Sequence, residues 1–200
     1  MADIASRLAR IADVAFWAAL AAPAVFYLMR ASGMAAADFE DILLPSGEMS
    51  ARLLFLALAI TPLATLLPNS GAIKWLRHQR RAIGLAAFSY GALHLVFYLV
   101  AMGTFDAVLE EIGATGIWTG WLALALLVPL ALTSSNSAMR TLGRNWKRVQ
   151  RLAYPAAVLT LAHWLTIHDG FIVALAHFVP LMILELVRIF RRRAPVAATA

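Results

Sequence analysis

Cysteine is absent from this 200-residue chain. Its absence excludes iron–sulfur ligation, covalent c-type heme attachment, thiol redox chemistry and disulfide staples. Any redox group would have to be held without a covalent bond. Charge is scarce as well: 14% of residues are charged and 62% are hydrophobic, with mean hydropathy +0.77. A soluble domain runs nearer about 25% charged, so the composition is that of an integral membrane protein. Low-complexity tracts and internal repeats are not visible, and there is no room for a soluble catalytic domain or for a domain binding a nicotinamide or flavin dinucleotide.

What is present is a series of apolar runs near Ile11–Met29, Ala51–Leu67, Ala82–Met102, Gly116–Thr133, Leu152–His168 and Phe171–Phe190. A bilayer core needs about 20 helical residues to cross, and each run is close to that length. The pattern predicts a single all-α domain over residues 1–200, an integral membrane bundle of six transmembrane helices joined by short connections. Arg7, Arg10 and Ala19-Leu20-Ala21 give the first run a signal-peptide cast. It stays apolar to Met29, which predicts an uncleaved span.

Charge placement orients the bundle. Of the 17 Lys and Arg residues, 15 fall on one side: Arg7 and Arg10; Lys74, Arg77, Arg80 and Arg81; Arg140, Arg144, Lys147, Arg148 and Arg151; Arg188 and Arg191 to Arg193. The other side holds Arg30 and Arg52 with most of the acidic residues. The positive-inside rule then predicts that both termini are cytoplasmic. Because the asymmetry accounts for the net charge of +6, nucleic acid is not an expected partner.

Two histidines inside these runs call for a reason. His94 lies 13 residues beyond Arg81 and His163 lies 12 beyond Arg151, so on parallel spans both stand about 18–20 Å from the basic side. A lone imidazole in hydrocarbon is commonly a hydrogen-bonding helix partner. A pair at one depth points to axial ligation of a heme iron, with His94 and His163 as the metal ligands. Gly84, Ala87, Gly91 and His94 share one face of their span, and small residues such as Gly91 leave room for a flat macrocycle. Ala156, Thr160 and His163 repeat the idea, with Tyr90, Phe97 and Tyr98 as candidate apolar walls. Zinc fits less well, for want of further ligands at that depth.

The remaining histidines are weaker candidates. His78 is expected in a solvated basic loop, and His168 at the outer interface beside Asp169. His177, inside the last span, is expected in a structural or supporting role. Glu185 is expected to pair with Arg188 or to snorkel.

Several spaced motifs resemble one family. Ile60-Thr61-Pro62-Leu63, Arg80-Arg81-Ala82-Ile83-Gly84-Leu85, Tyr90, Leu93-His94-Leu95 and Tyr98 are similar to the core of the ferric-reductase-like transmembrane domain. Leu132-Thr133-Ser134-Ser135, Leu142-Gly143, Trp146, Arg151-Leu152, Tyr154 and His163 continue the likeness in order, from about Ala15 to Arg193. Within that family the pattern looks most like the heme-binding membrane subunits of periplasmic methionine sulfoxide reductase systems.

The resemblance implies heme b as cofactor, with FMN as a further candidate, in a multi-pass protein of the bacterial inner membrane. It implies an electron-transfer subunit, separate from any catalytic subunit. Electrons would come from the quinone pool or a cytoplasmic flavin reductase and pass to a periplasmic molybdenum-dependent methionine sulfoxide reductase. A stand-alone ferric or quinone reductase and a non-redox assembly subunit are the alternatives. Relatives with two stacked hemes carry a second pair of histidines on the cytoplasmic side. Here the matching positions are Arg80 or Arg81 and Gln150, so one heme is expected. Arg80, Arg81, Arg148 and Arg151 are then candidates to clamp propionates, a flavin phosphate or anionic membrane lipid.

Overall fold

The structure is a computed structural model that describes residues 2–33, 36–167 and 170–193. Among the described residues every regular element is a helix, as the composition and periodicity predict. The long helices are α1 (Ala2–Ala31), α2 (Glu40–Leu66), α3 (Gly71–Met102), α5 (Thr115–Leu132), α8 (Ala153–Ile167) and α9 (Phe171–Arg193). Between them lie α4 (Phe105–Glu111), α6 (Asn136–Leu142), α7 (Arg144–Gln150) and a 3-10 turn at Ala36–Phe39. Side-chain caps start several of these: Ser70, Thr104 and Ser135 accept the N–H of Ile73, Ala107 and Ala138. Gly103 and Gly143 have φ of +68° and +49°, backbone that glycine adopts without strain, and they stop α3 and α6.

Five helices are long and apolar enough to cross a membrane: Arg10–Ala31, Asp41–Leu66, Gly71–Met102, Thr115–Leu132 and Phe171–Arg191. The sixth expected span is the 15-residue α8, about 22 Å long at helical rise against a hydrocarbon core of about 30 Å. Two other bounds differ from expectation. Helix α2 begins 11 residues before Ala51, so Pro45, Ser46 and Gly47 are helical although they have the composition of a turn. Pro45 removes one ladder bond, a loss that packed membrane helices tolerate. Helix α3 likewise begins at Gly71, which makes the basic stretch from Lys74 to Arg81 helical; His78 is exposed there, on a helix and not in a loop.

Cross-helix contacts give each helix its direction. Arg80 reaches Ala57 and Ser50 reaches Ala87, so α2 and α3 are antiparallel. Asp13 meets Gln79 while Leu20 and Ala24 meet Tyr90, so α1 runs parallel to α3. Asn136 meets Arg81 and Leu124 approaches Gly91, which sets α5 antiparallel to α3. Helix α8 runs against α5 and α9 runs against α8. The four basic clusters consequently gather at one end of the bundle.

The core is centred on α2. Ile60, Ile83, Ala87, Ala156 and Ala174 are fully buried around it. In contrast α1 exposes Ile11, Val14, Trp17, Phe26 and Met29, a face suited to lipid tails.

Candidate functional site

His94 on α3 and His163 on α8 face each other across a cleft, their ring centroids 6.0 Å apart and their planes crossed at 82°. The matched depth read from the arginine spacing is thus realised as direct juxtaposition. Each ring is held by a backbone carbonyl on the helix opposite. His94 Nδ1 lies 2.9 Å from the Leu43 carbonyl on α2, and His163 Nδ1 lies 2.6 Å from the Gly116 carbonyl on α5. A carbonyl only accepts, so each Nδ1 carries the proton and the lone pair of the neutral ring resides on Nε2. Anchoring one imidazole nitrogen to a carbonyl is the usual support of a metal-ligating histidine.

The cleft has a volume of about 280 Å³ and is lined by α2, α3, α4, α5 and α8. Gly91, Gly120 and Ala123 keep its walls low, while Leu124, Leu127 and Trp121 make them apolar. A Cβ at Gly91 would stand 3.1 Å from Ser50 Oγ and 3.2 Å from Leu124 Cδ1, so this wall is already close-packed. Metal–imidazole bonds are about 2 Å long, and two rings bound to one metal from opposite faces therefore have centroids about 6 Å apart. The residues present fit a metal macrocycle held by two imidazoles. Among the described residues no group of three or more His, Cys, Asp or Glu is placed to hold a bare metal ion.

Other candidates lie elsewhere. Tyr98 lines the cleft and donates to Glu111 at 3.3 Å. Tyr90 and Phe97, expected as walls, face away: Tyr90 bonds α1, and Phe97 packs on Phe39. Arg80, Arg81 and Arg151 do not line the cleft. Arg80 donates to the Ala57 carbonyl at 3.1 Å, and Arg81 to Asn136 at 2.7 Å. Gln150 donates to Thr133 Oγ1 at 3.1 Å, beside Trp146, whose indole N–H reaches the Thr133 carbonyl at 2.9 Å. The two together close the C-terminal end of α5, where Pro129 has already removed a ladder bond. His177 returns its Nδ1 to the Val173 carbonyl of its own helix and packs on Trp164. Glu185 does pair with Arg188, at 2.9 Å. His168 lies outside the described residues.

Leu43, Ser46, Gly47, Gly116, Thr119 and Gly120 escaped the sequence reading. The first three fall between two expected spans, and the others lie within one. The signal that could have found them is a Ser-Gly or Thr-Gly pair inside a helix: Ser46-Gly47 and Thr119-Gly120.

The chain is similar to several known proteins. The chain is 41% identical over 129 residues to the protein-methionine-sulfoxide reductase heme-binding subunit MsrQ of Xanthomonas campestris pv. campestris, covering 62% of this chain and 57% of that one. It is 36% identical over 149 residues to MsrQ of Azospira oryzae, with 72% and 62% covered, and 39% over 150 residues to that of Rhizobium meliloti, with 71% and 66%. The matches thus span somewhat less than two thirds of each relative's length. No solved structure matches. The model of the ferric reductase like transmembrane component matches residues 46–161, a stretch that runs from Ser46 beneath His94 to just short of His163. With more than half of the chain inside that match, the protein belongs to the ferric reductase like transmembrane family.

Proposed function

We propose that this chain is the heme-carrying electron-transfer subunit of a membrane redox system, with a single heme b between His94 and His163. The observation that carries the reading is the 6.0 Å separation of two rings each anchored through Nδ1. A heme bound there would supply a one-electron ferric/ferrous couple. The protein's part is to hold both Nε2 atoms inward, to exclude water with Leu124, Leu127 and Trp121, and to prevent either ring from turning. The names of the relatives support delivery to a methionine sulfoxide reductase, and the acceptor in this reading is a periplasmic molybdenum-dependent catalytic subunit. Electrons would enter from the quinone pool or a flavin reductase, with FMN as an intermediate carrier.

The same reading places six spans across a bacterial inner membrane as one domain, with α7 and α8 together making the fifth crossing. Helical winding barely breaks between them: Leu152 N–H bonds Val149 O at 2.9 Å and Tyr154 N–H bonds Arg151 O at 3.1 Å. One heme suffices because Arg80 and Gln150, at the inner positions, are engaged with Ala57 and Thr133. Arg80, Arg81 and Arg151 belong to the basic end, where they would meet phosphate groups of lipid or flavin.

Purified protein is expected to show a b-type reduced-minus-oxidised spectrum with a heme-to-protein ratio near one. His94→Ala and His163→Ala should each lose most of the heme. Full retention by either variant would refute the ligand pair, and a heme-free wild type would leave an assembly subunit.

A further inference from the structure

Helices α2 and α5 carry the same local device in the same register. The Leu43 carbonyl accepts from Ser46 Oγ at 2.7 Å and from His94 Nδ1 at 2.9 Å. The Gly116 carbonyl accepts from Thr119 Oγ1 at 2.9 Å and from His163 Nδ1 at 2.6 Å. In each case the hydroxyl is three residues after the carbonyl, and a glycine follows it. A Cβ on Gly47 would stand 2.8 Å from Cε1 and 2.9 Å from Nδ1 of His94. A Cβ on Gly120 would stand 2.6 Å from Nδ1 and 2.7 Å from Cε1 of His163. The same ring edge meets both glycines. No repeat is visible in the sequence, yet the structure contains one.

The register has a physical cause. In a helix the carbonyl of residue i points toward residue i+4, whose N–H it accepts. A ring from a neighbouring helix can reach that oxygen only by lying over residue i+4. Any side chain there closes the approach, so the position is glycine. A serine or threonine at i+3 folds back onto the same oxygen and shares it with the imidazole. Ser46 and Thr119 are 0% and 2% exposed, too deep for water to compete for their protons.

We propose that Ser46-Gly47 and Thr119-Gly120 form a repeated imidazole seat that sets both the direction and the electron-donating strength of His94 and His163. The inference rests on the heme reading above. Glycine grants the ring its bond to the carbonyl, and the hydroxyl limits how strongly that carbonyl draws on the imidazole proton. The two seats differ accordingly. Ser46 gives its proton to Leu43 O, and the imidazole bond there is the longer one. Thr119 divides its proton between Gly116 O and Thr115 O, at 2.7 Å from the latter, and the imidazole bond is shorter. His163 is therefore the stronger donor to a bound iron, since a stronger Nδ1 hydrogen bond makes the ligand more basic.

The test uses the full-length protein purified with its heme, read by heme content, electron paramagnetic resonance and midpoint potential. Crossed imidazole planes keep the iron π orbitals nearly degenerate, so the oxidised wild type should give one strongly anisotropic low-field feature. Gly47→Ala and Gly120→Ala should lose heme or that signature, while Gly84→Ala, which lies outside the cleft lining and whose Cβ meets nothing within 4 Å, should keep both. Ser46→Ala and Thr119→Val should retain heme and shift the potential negative, Ser46→Ala further, and Thr119→Ser should restore the wild-type value. Wild-type heme content and signature in both alanine variants would overturn the seat. An unchanged or positive potential in Ser46→Ala would overturn the role of the hydroxyl. Absence of heme from the wild type would instead defeat the underlying reading.

Discussion

Arg80 lies on the same helix as His94 but works at the other end of the bundle. Its Nε is fixed on the Ala57 carbonyl, and with Arg77, Thr61 and Thr65 it lines a second cavity of about 370 Å³. Two guanidinium groups and two hydroxyls at the basic end suit the phosphate of an anionic lipid. Arg80→Gln is expected to reduce co-purifying anionic phospholipid severalfold, by mass spectrometry of the detergent extract, with heme content unaltered. Equal lipid in both proteins would count against the site. At this scale the histidines were legible because ionisable residues stand out in apolar runs. Their partners were not, because Pro45-Ser46-Gly47 has the composition of a turn, and its helical state depends on packing against α3. Gln150 is visible in the sequence too, but its hydrogen bond to Thr133 requires the bend that brings α7 back to α5.

Among the elements, α1 is the least embedded, and Tyr90 on α3 is one of its few polar ties. The phenol donates to Leu20 O at 2.7 Å and accepts from Ala24 N–H at 3.0 Å. Those are the two ends of one helical rung, so the hydroxyl is inserted into the ladder of α1. Pro23, one residue before Ala24, has already opened the helix on that side. Removing the hydroxyl takes away a cross-helix tie between α1 and α3, at a cost of about 1 kcal/mol. Tyr90→Phe should therefore lower the thermal unfolding temperature in detergent and speed proteolysis at the start of α1. Because Tyr90 points away from the cleft, the absorption spectrum should be unchanged; a changed spectrum would contradict that separation. Helix identity was readable from hydropathy alone, and α8 begins at Ala153, one residue inside the expected bound at Leu152.

For the molecule as a whole, the placement of charge decides orientation. Alternating helix directions bring Arg10, Arg77, Arg144 and Arg188 to one end, as the charge count along the chain foretold. The number of crossings then becomes measurable from a single point. If α7 and α8 cross together, the C-terminus returns to the side of the N-terminus; if they do not, it emerges opposite. A fluorescent protein that matures only in the cytoplasm, fused after residue 200, should fluoresce in cells. A periplasmic phosphatase fused there should be inactive. The reverse pattern would require five crossings and a different placement of α8. The bundle was legible because lipid imposes a length and a charge rule on every span. The pairing of α2 with α3 and of α5 with α8 was not, because in hydrocarbon the partners are chosen by close packing and buried hydrogen bonds.

The cleft stands away from the basic end, with His94 about 20 Å along α3 from Arg81. Tunnelling rates fall exponentially with distance, so under the proposed role the two directions of electron flow proceed on different clocks. Discharge toward the near side is quick, while recharge from the basic side crosses most of the bundle. At steady state such a relay stands mostly oxidised, and its throughput is governed by whatever shortens the longer crossing.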